Sequence, residues 1–374
     1  MAGIYLHIPF CASRCGYCDF HSSVNILQTE NFVNSLLIEI EKRKHELEKE
    51  EISTIYFGGG TPSLLPSKLI KEILEKLSSS FNIDKNAEIS LEANPDDLEI
   101  EYLNSLLNLG INRLSIGIQS FSDDLLKFMG RRHNSAQAIQ SVKNAQSVGF
   151  NNISIDFIYA LPKLTEQEWK ITLQEAIDLN IQHISAYALG IEEGTSFYKK
   201  LKNAEFALPS EEKVIKQYEF MHNFLEKAGF VAYEISNFCK PNYKSRHNSS
   251  YWEQKSYIGF GPGAHSYNGE IRRWNIANNE TYISAIFNNE NYFQEENLSK
   301  NDKINELIMT NLRTINGLNL ETFEKLAGHE QTGKLVSNAQ NFIRSNHIFL
   351  ENNSLILTLK GKMISDYIIS KLMI

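Results

Sequence analysis

The chain is short of positive charge. Its 374 residues carry 37 Lys and Arg against 45 Asp and Glu, a formal net charge of -8, so the electrostatic footprint of a nucleic-acid binder is missing and polyanions are not expected as partners. No uninterrupted apolar run approaches the length of about 20 residues that crosses a bilayer. The N-terminus shows no basic stretch followed by an apolar one, so no signal peptide is expected and the protein is placed in the cytoplasm. Cysteine is also scarce: there are four, three of them within one short loop, which suits a reducing compartment and excludes a disulfide framework.

What is present is concentrated in that loop, Cys11-Ala-Ser-Arg-Cys15-Gly-Tyr-Cys18, entered through the apolar run Ile4-Tyr-Leu-His-Ile-Pro-Phe10. Thiolates are soft ligands, and three on one tight loop argue for a metal site. Two readings stay open. Three cysteines can hold a four-iron cluster that keeps one iron free for a non-protein ligand. The alternative is a structural zinc with His21 as fourth ligand, which makes the protein a zinc-stabilised binding protein.

The length exceeds what one hydrophobic core usually serves, so a large and a smaller domain are expected. Short apolar strands alternate with amphipathic helices, the pattern of parallel βαβ units. Strands are predicted at 4–9, 52–57, 88–92, 113–118, 153–158, 184–189 and 230–235. Thr29 is read as the cap of a helix burying Phe32, Leu36, Leu37 and Ile40, and Thr165-Glu-Gln-Glu168 as a capping box. The unusual residues follow strand ends: the cysteines the first, Gly58-Gly-Gly-Thr-Pro-Ser63 the second, Glu92-Ala-Asn-Pro95 the third, Gln119-Ser-Phe121 the fourth, with Asp156 in the fifth. In a parallel βα barrel these positions share the C-terminal rim, where barrel active sites are built. A triglycine admits close approach of a ligand to the backbone, and carboxylate and carboxamide side chains suit hydroxyls and an amine rather than phosphates.

These residues resemble the radical S-adenosylmethionine (SAM) superfamily. The segments Tyr5-Leu-His-Ile-Pro-Phe-Cys11, Phe57-Gly-Gly-Gly-Thr-Pro-Ser63, Gly117-Ile-Gln-Ser-Phe121, Gly130-Arg-Arg-His133 and Ile155-Asp-Phe-Ile-Tyr-Ala-Leu-Pro162 resemble its oxygen-independent coproporphyrinogen oxidase branch. The resemblance implies a partial (βα)6 barrel and a [4Fe-4S] cluster on Cys11, Cys15 and Cys18. It further implies that Gly59, Gly60 and Thr61 contact the methionine part of SAM, that Tyr17 packs on the adenine and Glu92 holds the ribose, that Tyr5 lies near cluster and cofactor, and that Gln119, Arg131 and Asp156 complete the pocket.

Two departures from that branch count against porphyrinogen decarboxylation: Phe20 stands where the oxidase has a further cysteine, and the oxidase's N-terminal extension is missing. Arg246-His-Asn-Ser-Ser-Tyr-Trp252 instead resembles the H-N-x-x-Y-W motif of haem chaperones. That implies haem held by His247 as axial ligand with Asn248, Tyr251 and Trp252 around it. It also implies haem-accepting partners such as respiratory cytochromes, leaving open a homodimer and a peripheral membrane contact. A radical SAM oxidase of porphyrin biosynthesis is the alternative. Gly259-Phe-Gly-Pro-Gly263 is read as a turn that places His265, because Pro262 argues against a dinucleotide loop, and Cys239 as an ordinary buried residue. Three segments are expected: the barrel over 1–236, the haem motif and a polar connection over 237–300, and a winged-helix-like α+β domain over 301–374.

Overall fold

The computed structural model describes residues 1–47 and 49–374. The predicted apolar runs form six parallel strands in chain order: β1 (Ala2–Ile8), β2 (Ile52–Gly59), β3 (Ile83–Ala93), β4 (Arg113–Gln119), β5 (Ile153–Tyr159) and β6 (His183–Ala188). Each pairs with its sequence neighbour, so helical crossovers return the chain to the same edge and all C-terminal strand ends share one rim. The helix Thr29–Arg43 buries Phe32, Val33, Leu36 and Ile40, and Ser67–Ser80 buries Ile70, Ile73, Leu74 and Leu77, as their periodicity predicts.

Several expectations need correcting. The residue capping Thr29–Arg43 is Gln28, with no side-chain bond, and the Thr29 hydroxyl donates to the Ile26 carbonyl at 2.6 Å. β3 begins at Ile83, five residues early, because its first half is polar and carries no alternation. The strand predicted at 230–235 shrinks to β7 (Val231–Ala232), after which the chain reverses into β8 (Asn237–Cys239), antiparallel to β6.

The largest correction concerns 237–300, which is no connection. It adds β9 (Tyr257–Phe260) parallel to β1, then β10 (His265–Tyr267), β11 (Ile271–Asn275) and β12 (Phe293–Asn297), extending the main sheet to twelve strands. β12 reads as a loop because its Gln294-Glu-Glu-Asn297 is exposed on both faces, as an edge strand is. The Gly259 turn does place His265: a side chain on Gly259 would sit 2.1 Å from the His265 carbonyl oxygen, and Gly261 has φ +96. A buried polar network pins this extension to the helix Thr29–Arg43. Glu39 pairs with Arg43 at 3.0 Å and accepts from the Gly261 N–H, Asn275 and Tyr282, while Arg43 donates to the Gly259 carbonyl and to Ser266.

The C-terminal part has its own core, in which Ile304, Ile308, Phe323, Leu335 and Leu355 meet. Helices Lys300–Leu312, Leu320–Ala327 and His329–Arg344 precede the hairpin β14 (Ile348–Glu351) and β15 (Ser354–Leu357), and β13 (Leu318–Asn319) completes a small sheet. That is the winged-helix order expected.

The capping box at Thr165 forms as read, with Thr165 Oγ1 accepting from the Glu168 N–H and the Thr165 N–H donating to Glu168 Oε2. Thr165→Ala is expected to cost about 1 kcal/mol, read as a lower urea midpoint at unchanged slope.

Candidate functional site

A cavity of about 450 Å³ opens at the C-terminal rim, and all three loop cysteines line it together with Gly59, Gly60, Thr61, Glu92, Gln119, Arg131, Asp156 and Tyr17. The loop is held at its middle: the Gly16 N–H donates to the Met129 carbonyl at 3.0 Å, and the Gly16 carbonyl accepts from Phe197 at 2.8 Å. Among the described residues no disulfide links the cysteines. Thr61 Oγ1 donates to Cys11 Sγ at 3.4 Å and an Arg131 N–H to Cys15 Sγ at 3.5 Å, while burial pushes the Cys18 thiol up. Hydrogen bonds to two sulfurs fit a thiolate-held iron–sulfur cluster, whose potential such bonds tune.

The zinc reading fares worse. His21 directs Nε2 to Asn279 Oδ1 at 2.7 Å and lines a different cavity. Among the described residues no three His, Cys, Asp or Glu side chains converge as a single metal ion requires.

The glycine turn spends its own donors within the fold. The N–H groups of Gly59, Gly60 and Thr61 donate to Glu92 Oε2, the Ile8 carbonyl and the Phe10 carbonyl at 3.1, 2.8 and 2.7 Å. Its donors are spent on tying β2 to the cysteine loop, so the turn offers a ligand acceptors, which suits an ammonium group. Gly60 has no room for a side chain, since a Cβ there would lie 2.6 Å from the Phe10 carbonyl oxygen.

Behind the turn, Glu92 Oε1 accepts from the Tyr56 hydroxyl at 2.8 Å. Burial, with the Asp156 charge adding to it, pushes the Glu92 carboxyl up to about 7. Asp156 accepts from the Ser115 hydroxyl at 3.2 Å and is also raised by burial. Arg113, fully buried in the barrel interior with Nε and one terminal nitrogen unpartnered, lines the cavity too. It supplies the positive charge two buried carboxylates need. Sequence reasoning saw Arg113 only as a strand start, although a charged residue opening an apolar strand was a signal. Arg131 donates to the Asn94 side chain and the Gly117 carbonyl, both at 2.5 Å, joining the rim of β4 to the cysteine loop. Gln119, at φ 68, occupies the left-handed region that non-glycine residues seldom adopt within a strand. Tyr17 meets Phe197 edge-on at 6.3 Å and forms one wall.

Not every expected residue joins this cavity. Tyr5 is stacked against Tyr56 and His247, donates toward or accepts from His7 Nδ1 at 3.1 Å, and lines the second cavity instead.

The motif at 246–252 forms the short helix Arg246–Trp252, capped by Ser245, with Glu88 accepting from the backbone N–H groups of Arg246 and His247. His247 is 1 % exposed. Its Nδ1 lies 2.8 Å from Thr54 Oγ1, its Nε2 2.9 Å from the Tyr251 hydroxyl, and its ring stacks on Tyr56 at 5.0 Å. Burial, followed by the Arg113 charge, pushes it down to about 3. The expected axial ligand therefore presents no free nitrogen to either cavity. Asn248 lines the first cavity, while Tyr251 and Trp252 line the second, of about 650 Å³, together with His7, His21, Tyr257, His265, Tyr267, Arg272 and Met309. The four motif residues are thus divided between two cavities and the wall separating them.

The radical SAM superfamily pattern matches residues 5–176. The chain is 32% identical over 369 residues to the heme chaperone HemW of Bacillus subtilis (strain 168), covering 98% of this chain and 97% of that protein. To the heme chaperone HemW of Lactococcus lactis subsp. lactis (strain IL1403) it is 36% identical over 320 residues, 86% and 83% of the two chains. In fold it is similar to coproporphyrinogen III oxidase (HemN) from Escherichia coli, with a TM-score of 0.86 at 22% identity over 99% of this chain and 89% of that one. Rim, cysteine loop and relatives lead to one assignment: the chain belongs to the radical SAM superfamily and, within it, to the family of the heme chaperone HemW.

Proposed function

We propose that this chain is a haem chaperone on a radical SAM scaffold, holding a [4Fe-4S] cluster and SAM in the first cavity and passing haem to haem-accepting proteins such as respiratory cytochromes. Membership of the superfamily implies the cluster and SAM; haem and its acceptors are our reading from the relatives' names. The observation that carries it is the helix Arg246–Trp252, whose Asn248 faces the first cavity and whose Tyr251 and Trp252 wall a second, mostly apolar one.

Cys11, Cys15 and Cys18 would hold the cluster, which when bound supplies electrons. The chain's own part is positioning. Glu92 accepts from ribose hydroxyls while Tyr56 and Gly59 fix its orientation. Tyr17 offers its ring to the adenine, the Gly59–Thr61 turn receives the methionine end, and Gln119, Arg131 and Asp156 enclose the rest. Phe20, Val24 and Leu27 stand 65%, 60% and 91% exposed just after the cysteine loop, an apolar surface suited to meeting an acceptor protein or the face of a membrane. Among the described residues no helix is long and apolar enough to cross a membrane.

The test is anaerobic reconstitution, haem titration, and product analysis with coproporphyrinogen III under reducing, SAM-saturated conditions. One haem bound per chain with coproporphyrinogen III unprocessed is expected. Decarboxylation at a catalytic rate with no specific haem site would replace the chaperone by the oxidase reading. Trp252→Ala is expected to weaken haem binding by removing an apolar wall, by about 1–3 kcal/mol, with cluster and SAM content unchanged by iron assay and calorimetry.

A further inference from the structure

We infer that haem seats in the second cavity with His265 as an axial ligand to its iron. This rests on the haem reading above and replaces its expected ligand.

The cavity fits in size and lining. At about 650 Å³ it lies within the range of about 300–1,000 Å³ typical of cofactor sites. Tyr251, Trp252, Tyr257 and Tyr267 give it aromatic walls, Tyr251 and Tyr257 meeting edge-on at 4.7 Å. The indole Nε1 of Trp252 is buried without a partner. Arg272 and Lys255 add positive charge, each shared with a glutamate, Glu306 at 2.5 Å and Glu253 at 2.6 Å. Carboxylate tails need cations of that kind.

Ligand chemistry then selects one residue. Three histidines line the cavity. His7 is engaged at both ring nitrogens, by the Tyr5 hydroxyl and by the His21 carbonyl at 2.8 Å. His21 is engaged through Nε2 with Asn279 and its ring stacks on His7 at 5.9 Å, which leaves it Nδ1 alone. His265 is exposed to the cavity, and among the described residues neither of its ring nitrogens has a hydrogen-bond partner. A bare cation needs three or more convergent protein donors, which the described residues do not provide. An iron already held by four pyrrole nitrogens needs only one or two.

His265 is also well held. β10 carries it, the neighbouring Ser266 hydroxyl accepts from the Gly259 N–H and from Arg43 at 3.0 Å each, and its ring stacks against Trp274 at 6.2 Å and 24°. Burial and the Arg272 charge lower its pKa, which favours the neutral imidazole whose lone pair can bind iron. His247, by contrast, acts as a positioning residue. Its bonds to Thr54 and Tyr251 fix the helix that brings Tyr251 and Trp252 to the cavity.

The experiment is a ferric haem titration of the cluster-loaded full chain, read by electron paramagnetic resonance and resonance Raman for axial ligation, with His265→Ala and His247→Gln. The unsubstituted protein should show histidine ligation. His265→Ala should lose that signature and bind haem at least about tenfold more weakly, with added imidazole restoring the signature and iron, sulfide and SAM binding unchanged. His247→Gln, which keeps a polar group between Thr54 and Tyr251, should retain histidine ligation. Unaltered ligation in His265→Ala, or its loss in His247→Gln alone, overturns the assignment while leaving the haem reading intact. No stoichiometric haem in the unsubstituted protein overturns both.

Discussion

Cys15→Ala protein, reconstituted anaerobically, is expected to carry neither iron nor sulfide, whereas the unsubstituted chain should be brown and hold the two in equal amounts. Among the described residues the three loop sulfurs are the only soft donors lining the first cavity. A four-iron cluster reduced to two protein ligands leaves two irons open to solvent. The loss should be one of ligation, not of folding. The loop is fixed by the Gly16 backbone bonds to Met129 and Phe197 and by close packing there, since a Cβ on Gly16 would lie 2.4 Å from the Phe197 ring. Far-ultraviolet dichroism and the urea midpoint should therefore stay near those of the metal-free unsubstituted chain. Stoichiometric zinc without sulfide in the unsubstituted protein would remove the radical SAM chemistry from the proposal.

The second large effect belongs to Glu92. Charge-assisted hydrogen bonds from ribose hydroxyls to a buried carboxylate are worth about 1.5–3 kcal/mol, so Glu92→Ala is expected to weaken SAM binding by about 10- to 150-fold with the cluster intact. The pH dependence is a sharper check. Glu92 is raised to about 7 by burial and by the Asp156 charge, so its neutral form competes with the carboxylate near neutral pH. A ligand that donates two hydrogen bonds selects the charged form. SAM affinity should then rise as pH increases through about 7 and level off above it, and Glu92→Gln should flatten that rise. A titration by calorimetry from pH 6 to pH 8.5 measures both; an unchanged dissociation constant in Glu92→Ala would mean the ribose lies elsewhere.

The barrel was legible because its strands are apolar and each is followed by a helix with a clear stripe. The cavity was legible because its residues cluster just after strand ends, and strand ends of a parallel sheet share a side. What escaped the sequence is what alternation does not mark. β12 is polar on both faces and read as a loop, and the opening of β3 did so too. Arg113 was missed because a buried charge announces itself only through the carboxylates it faces, Glu92 and Asp156, which lie far from it in sequence. His247 was placed as a ligand because a motif gives residue types without directions. Its neighbours Thr54 and Tyr56 come from β2, nearly two hundred residues earlier, and only the fold shows Thr54 on its Nδ1 and Tyr56 against its ring face while Tyr251 takes Nε2.

The division of one helix between two cavities has a thermodynamic consequence. Asn248 borders the space proposed for SAM and Trp252 the space proposed for haem, and the two are separated by a single turn of backbone anchored on Glu88. Occupancy of either side acts on the same rigid element. Whatever factor SAM imposes on haem affinity, haem must impose on SAM affinity, because the two routes to the doubly loaded protein share their end points. If SAM makes the chain hold haem more firmly, an acceptor that draws off the haem loosens the grip on SAM by an equal factor, so release on one side is legible from the other.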